Sequence, residues 1–159
     1  MVKSIKHIPF FVLVMTFAFG SFMCEKDEAS PKQFLTGKQW RLTAWTSTPA
    51  YEVEGEMITN LYSLLPVCAH DDFTIFNTDE TLTKDEGEIK CSQSDPQTIS
   101  GNWLMNTNQT ILKITIEGGE IEYIINEISD NFLILGTQEV IEHATGSVTY
   151  EYKFTYTRM

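Results

Sequence analysis

The 159-residue chain predicts an all-β fold: an eight-stranded antiparallel up-and-down barrel with one short helix after the first strand. Three observations carry that prediction. From Val148 to Thr157 the sequence alternates strictly. Val148, Tyr150, Tyr152, Phe154 and Tyr156 fall on one face and Thr149, Glu151, Lys153, Thr155 and Thr157 on the other, the period of a half-buried antiparallel strand. Shorter alternating runs recur upstream. Clusters rich in turn formers separate the runs, among them Asn77-Thr78-Asp79, Asn106-Thr107-Asn108, Gly118-Gly119, Ser129-Asp130-Asn131 and Ala144-Thr145-Gly146.

The elements follow in chain order. The first strand spans 39–47, where Trp40, Leu42 and Ala44 alternate with Arg41 and Thr43. Between Gly55 and Pro66, Met57, Ile58, Leu61, Leu64 and Leu65 fall at helical spacing and predict the short helix. Strands follow at 72–77, 80–91 (broken near Gly87), 100–106, 110–117, 120–127, 132–141 and 147–158. Leu112, Ile114 and Ile116 mark the inner face of one; Ile121, Tyr123 and Ile125 mark the next. Sequential antiparallel strands in one small domain can close as a barrel or stack as a sandwich, and local hairpin order favours the barrel. Eight strands enclose room for side chains or for one small ligand.

The N-terminus carries a different signal. Lys3 and Lys6 precede an apolar run from Ile8 to Met23, followed by Cys24 and the charged tetrad Glu25-Lys26-Asp27-Glu28. A charged start, a short hydrophobic core and a break at small residues describe a secretory signal. The run is 16 residues long, short of the ~20 that a helix needs to span hydrocarbon. Ser21-Phe22-Met23-Cys24 resembles a bacterial lipoprotein signal, which implies cleavage before Cys24 and acylation of its thiol. Ala18-Phe19-Gly20 offers a rival cleavage after Gly20. The tetrad is similar to the acidic signal that sends some outer-membrane lipoproteins to the cell surface; it also suits a solvated tether. The expected organisation is a signal peptide over 1–23, a lipidated acidic tether and linker over 24–36, and a barrel domain over 37–159. Ala29 to Thr36, small and polar with Pro31, reads as linker.

Composition narrows the partners. Residues 1–23 contain two lysines and no acids, so cleavage takes the net charge from −11 to −13. Nucleic acid is not expected as a partner, because phosphate neutralisation needs clustered Lys and Arg. An anionic membrane would repel the domain, leaving the lipid anchor as the only membrane contact. Cys24, Cys68 and Cys91 make an odd count for an exported chain. Acylation of Cys24 leaves Cys68 and Cys91 as a pair, expected to be oxidised. Without spaced histidines nearby, they do not make a zinc site.

Leu35-Thr36-Gly37-Lys38-Gln39-Trp40-Arg41-Leu42 looks like the opening strand of lipocalin-like proteins. The block from Leu65 through Cys68, Asp71-Asp72 and Phe73-Thr74-Ile75-Phe76, with Cys91 and Gly101-Asn102-Trp103, resembles the lipocalin-like domain of bacterial surface lipoproteins. The resemblance runs from about Leu35 to the C-terminus. Two features depart from it: two residues separate Gly37 from Trp40, where lipocalins have one, and Glu80 stands where a turn glycine is usual. The resemblance implies a fold and no particular ligand.

His70, Asp71 and Asp72 are the one cluster that could suggest a metal site or an acid/base pair. Consecutive strand residues point to opposite faces, so a polar strand entry, with Asp71 capping the turn after Cys68, is favoured. The acidic stretch from Asn77 to Glu88 lacks the order of a calcium loop. No nucleophile elbow, zinc-binding helix, P-loop or dinucleotide fingerprint occurs, so neither catalysis nor a cofactor is expected. Trp45, Trp103, Tyr123, Tyr150, Tyr152 and Phe154 are the candidate ligand-binding residues, since aromatics commonly wall apolar sites. The opposing reading is that this aromatic stripe fills the barrel and leaves a shallow pocket at most. Two functions follow: an outer-membrane, surface-exposed lipoprotein whose barrel binds a small hydrophobic or amphipathic ligand, or an acidic module that engages a basic protein such as a cationic hydrolase.

Overall fold

The computed structural model describes residues 29–143 and 146–159. The proposed signal, Cys24 and the acidic tetrad lie outside the described residues. Nine strands form one sheet: β1 (Gln39–Val53), β2 (Glu56–Asn60), β3 (Phe73–Phe76), β4 (Thr81–Asp85), β5 (Thr98–Met105), β6 (Ile111–Ile116), β7 (Gly119–Ile128), β8 (Phe132–His143) and β9 (Gly146–Arg158). Every neighbouring pair is antiparallel, and β1 also pairs with β9, from Trp40 opposite Arg158 to Thr48 opposite Glu151. That pairing closes β1 and β3–β9 into the expected eight-stranded up-and-down barrel, with β2 as an extra strand on β1.

Two segments differ from the sequence reading. The short helix expected after the first strand is present, but it occupies only part of the apolar run after Gly55. Glu56–Asn60 pairs with β1, with Val53 opposite Glu56, and only Leu61–Leu64 makes a short 3-10 turn. Glu54 and Gly55, both at positive φ (52° and 87°), form the two-residue turn whose twist suits a hairpin. Hairpin pairing wins because so short a run nucleates α-helix poorly. The first strand accordingly runs to Val53 rather than 47.

The second difference is at the entrance. Where a linker is expected, Pro31–Leu35 forms a helical turn, α1. Ser30 accepts from the Gln33 amide, and the Gln33 side chain accepts from the Ser30 amide at 2.8 Å, a reciprocal cap that satisfies two orphan donors. Pro31 stands at the first turn, where its missing N–H costs nothing. This turn carries Leu35 into the barrel floor, where it is fully buried.

The floor is the packed core: Leu35, Trp40, Phe76, Leu82, Trp103, Leu112, Leu133 and Leu135. Both buried indoles find acceptors, as they must. Trp40 donates to the Leu35 carbonyl at 2.9 Å and Trp103 to the Asn77 carbonyl at 3.0 Å. Salt bridges ring the same end. Asp130 pairs with Lys38 at 2.7 Å and with Arg158 at 2.9 Å, and the Lys38 hydrogen bond holds its carboxyl below the usual range. Lys32 reaches Glu80 at 3.0 Å. Glu80 sits at φ 69°, the left-handed conformation for which the lipocalin-like pattern has glycine.

Gly101 marks the sharpest approach between strands. A Cβ there would lie 2.4 Å from the Thr115 carbonyl oxygen, so only glycine lets β5 and β6 close at this point.

Candidate functional site

The last strand keeps the predicted register. Tyr150 is buried while Glu151 and Lys153 are exposed, and Phe154 and Tyr156 turn inward. The first strand does not. Its alternation breaks between Leu42, opposite Tyr156, and Ala44, opposite Thr155. This β-bulge shifts the side-chain parity and brings Trp45, opposite Phe154, to the inner face. Without the bulge, the Trp40–Leu42–Ala44 pattern would point Trp45 outward.

Above the packed floor the barrel is open. A cavity of about 480 Å³ extends from Trp40, Phe76, Leu82 and Leu135 to a rim formed by Leu65, Ala69, Gly119 and Ile121. Its volume lies within the range of small-molecule sites. Trp45 and Phe154 stack along one wall with centroids 5.6 Å apart, and Tyr123 meets Phe154 edge-on at 5.6 Å. Leu42, Ile114, Ile116 and Tyr156 complete the apolar lining.

The opposing reading, a barrel filled by its aromatics, does not fit this cavity, and the reason lies in the reach of the aromatic stripe. Of the β9 aromatics Tyr150, Tyr152, Phe154 and Tyr156, only Phe154 and Tyr156 line the cavity. Tyr150 packs at a tilt against Tyr51 at 5.1 Å, and Tyr152 stacks on Tyr150 at 6.3 Å. Tyr152 also leans on Trp45 at 6.3 Å. Its hydroxyl donates to Glu139 at 3.2 Å, and burial followed by that carboxylate pushes its pKa up to about 12. Of the six aromatic candidates, Trp45, Tyr123 and Phe154 come together at the cavity. Tyr150 and Tyr152 form an adjoining ladder, and Trp103 packs edge-on against Phe76 in the floor.

The His70-Asp71-Asp72 cluster disperses. His70 stacks on Tyr62 at 4.7 Å. Asp72 lines the cavity and pairs with Lys84 at 3.3 Å. Asp71 caps, but not its own turn: its carboxylate accepts from the amides of Glu88 (2.7 Å) and Ile89 (3.0 Å) in the β4–β5 loop. Those contacts end β4 at Asp85, before the predicted limit. Sequence reasoning missed Tyr156, Lys84 and Asp72 as lining residues. The alternation of β9 already placed Tyr156 inward; the other two become legible only once the barrel is closed.

Cys68 and Cys91 are bonded as expected, with Cα atoms 5.1 Å apart. The bridge and the Asp71 cap together tie the β4–β5 loop to the segment that carries Ala69 at the rim. A bridge closing a loop of this length stabilises by roughly 3 kcal/mol in the chain-entropy model. Cys68→Ser is therefore expected to lose about that much in a denaturant titration. The unreduced native protein should show no free thiol at these two positions.

Among the described residues, no helix is long and apolar enough to cross a membrane. No protein-family model matches the chain, and no curated protein does. Among solved structures, the chain is similar to a DUF4847 family protein from Bacteroides vulgatus ATCC 8482, with 11% identity and a TM-score of 0.48, over 80% of this chain and 96% of that one.

Proposed function

We propose that this chain is a binding module: a lipocalin-like barrel, tethered to the outer membrane through an acylated Cys24 and exposed at the cell surface, that takes up a small hydrophobic or amphipathic molecule. The observation that carries the reading is the apolar cavity of about 480 Å³ over a closed, packed floor. A water-filled apolar space of this size gains free energy when an apolar solute replaces the water, at about 25 cal/mol per Å² buried. The N-terminal signal and the tetrad after Cys24 support the anchored location.

The acidic-module reading keeps one favourable observation. Glu52, Glu54 and Glu56 are all exposed around the β1–β2 turn, a surface suited to a basic protein.

Native mass spectrometry of protein purified from its own cells tests both parts of the proposal. The expected species begins at Cys24, carries acyl mass on that residue and holds an apolar molecule released on collisional activation. A chain that retains residues 1–23, or begins at Ser21, removes the anchor. A species without bound molecule that instead retains a basic protein moves the function to the acidic surface.

A further inference from the structure

We propose that the cavity selects an apolar molecule with an uncharged hydrogen-bond acceptor, a carbonyl or hydroxyl, at its buried end, where the Tyr123 and Tyr156 phenols receive it. This deepens the binding reading above and rests on it. Tyr156 lies on β9 between Leu42 and Leu133, and Tyr123 lies on β7 opposite Leu112. Both line the cavity. Tyr156 is half-buried where it lines the cavity.

Tyrosine hydroxyls that face an apolar cavity ordinarily find a partner. Among the described residues Tyr152 donates to Glu139, whereas the hydroxyls of Tyr123 and Tyr156 donate to none. A bound molecule supplies what they lack. Burial raises the pKa of both phenols, so at neutral pH each is a fixed donor.

The same surroundings decide the charge of the acceptor. Lys84, the one cationic side chain lining the cavity, is held by Asp72. A carboxylate driven against the two phenols would be buried without a free counter-charge, which costs far more than a neutral oxygen. Leu42, Phe154, Ile114 and Ile116 suit an apolar body, Glu120 disfavours an anion, and the unpartnered Trp45 indole N–H offers a further neutral donor.

Three probes of matched shape test this: 2-ethylnaphthalene, 2-acetylnaphthalene and 2-naphthoate, titrated calorimetrically into the protein. The ketone is expected to bind about tenfold more tightly than the hydrocarbon, the worth of one buried hydrogen bond, and more tightly than the carboxylate. In Tyr156→Phe, and more weakly in Tyr123→Phe, the ketone-to-hydrocarbon ratio should fall toward one. The carbonyl stretch of bound 2-acetylnaphthalene should rise in the same variants as its donor is removed. An equal ratio in wild type and both variants overturns the selectivity while the binding reading stands. Tighter binding of the carboxylate than of the ketone overturns the neutral acceptor. Failure of all three probes to bind overturns the cavity reading together with this one.

Discussion

Removing Gly146–Met159 is expected to leave no folded product. β9 hydrogen-bonds to β8 along its whole length, from Phe132 opposite Thr157 to His143 opposite Gly146, and to β1 on its other side. Its loss would open two long edges at once, each a row of unpaired N–H and C=O groups and a template for aggregation. It would also remove buried Tyr150, the Phe154 and Tyr156 wall and the Arg158–Asp130 ion pair. The truncated chain should show neither a dispersed amide spectrum nor a cooperative unfolding transition. A cooperative transition would mean that the barrel does not depend on closure through β9.

The second large effect is expected at the floor. Trp40→Ala should cost about 3–5 kcal/mol, the range for deleting a buried tryptophan. Trp40 is fully buried in the cluster that closes the barrel. Its indole N–H also satisfies the Leu35 carbonyl, which anchors α1. The substitution leaves a cavity and an unpaired carbonyl where the chain enters the barrel, and neither neighbour can move in to compensate. Lys153→Ala, on the outward face of β9, should change stability by no more than about 0.5 kcal/mol. Paired urea titrations check both values. Equal effects at the two sites would contradict the inward–outward assignment, because a one-residue slip inverts every side chain.

The contrast between those two positions was visible in the sequence. The period-two run from Val148 to Thr157 places Tyr150, Phe154 and Tyr156 inside, and turn clusters mark five of the seven connections between barrel strands. Patterning carried this because a barrel strand with one face in and one face out must alternate. It failed where local geometry breaks the period. The bulge between Leu42 and Ala44 leaves no compositional mark, yet it decides that Trp45 reaches the cavity. Glu54-Gly55 was a turn signal, but the apolar residues after it fit a helical template equally well, and short runs do not discriminate. Ser30 and Gln33 spelled a capping box ahead of Leu35 that a small, polar composition concealed.

The site was legible only in part, for a related reason. Tyr123 and Phe154 could be nominated as aromatics on inward faces, and Trp45 only as an aromatic, since its strand's alternation pointed it outward. Whether inward aromatics fill a barrel or surround a space depends on how high each stands along the axis, and that follows from strand stagger. Trp103 lies low, in the floor with Phe76. Tyr150 and Tyr152 lie on the part of β9 that packs on Tyr51 and Trp45. Asp72 immediately precedes β3 and Lys84 lies on the adjacent β4, and their meeting at the cavity has no signature along the chain.

The central claim is that this barrel holds an open apolar cavity. Titration of N-phenyl-1-naphthylamine, a neutral apolar fluorophore, into the protein tests it most directly. A control variant, Thr74→Trp, fills the space from β3. Saturable one-to-one binding to the wild-type chain is expected, with energy transfer from tryptophan, and about tenfold weaker binding once the added side chain occupies the cavity. No saturable binding to the wild-type chain, or equal binding to both proteins, would contradict it.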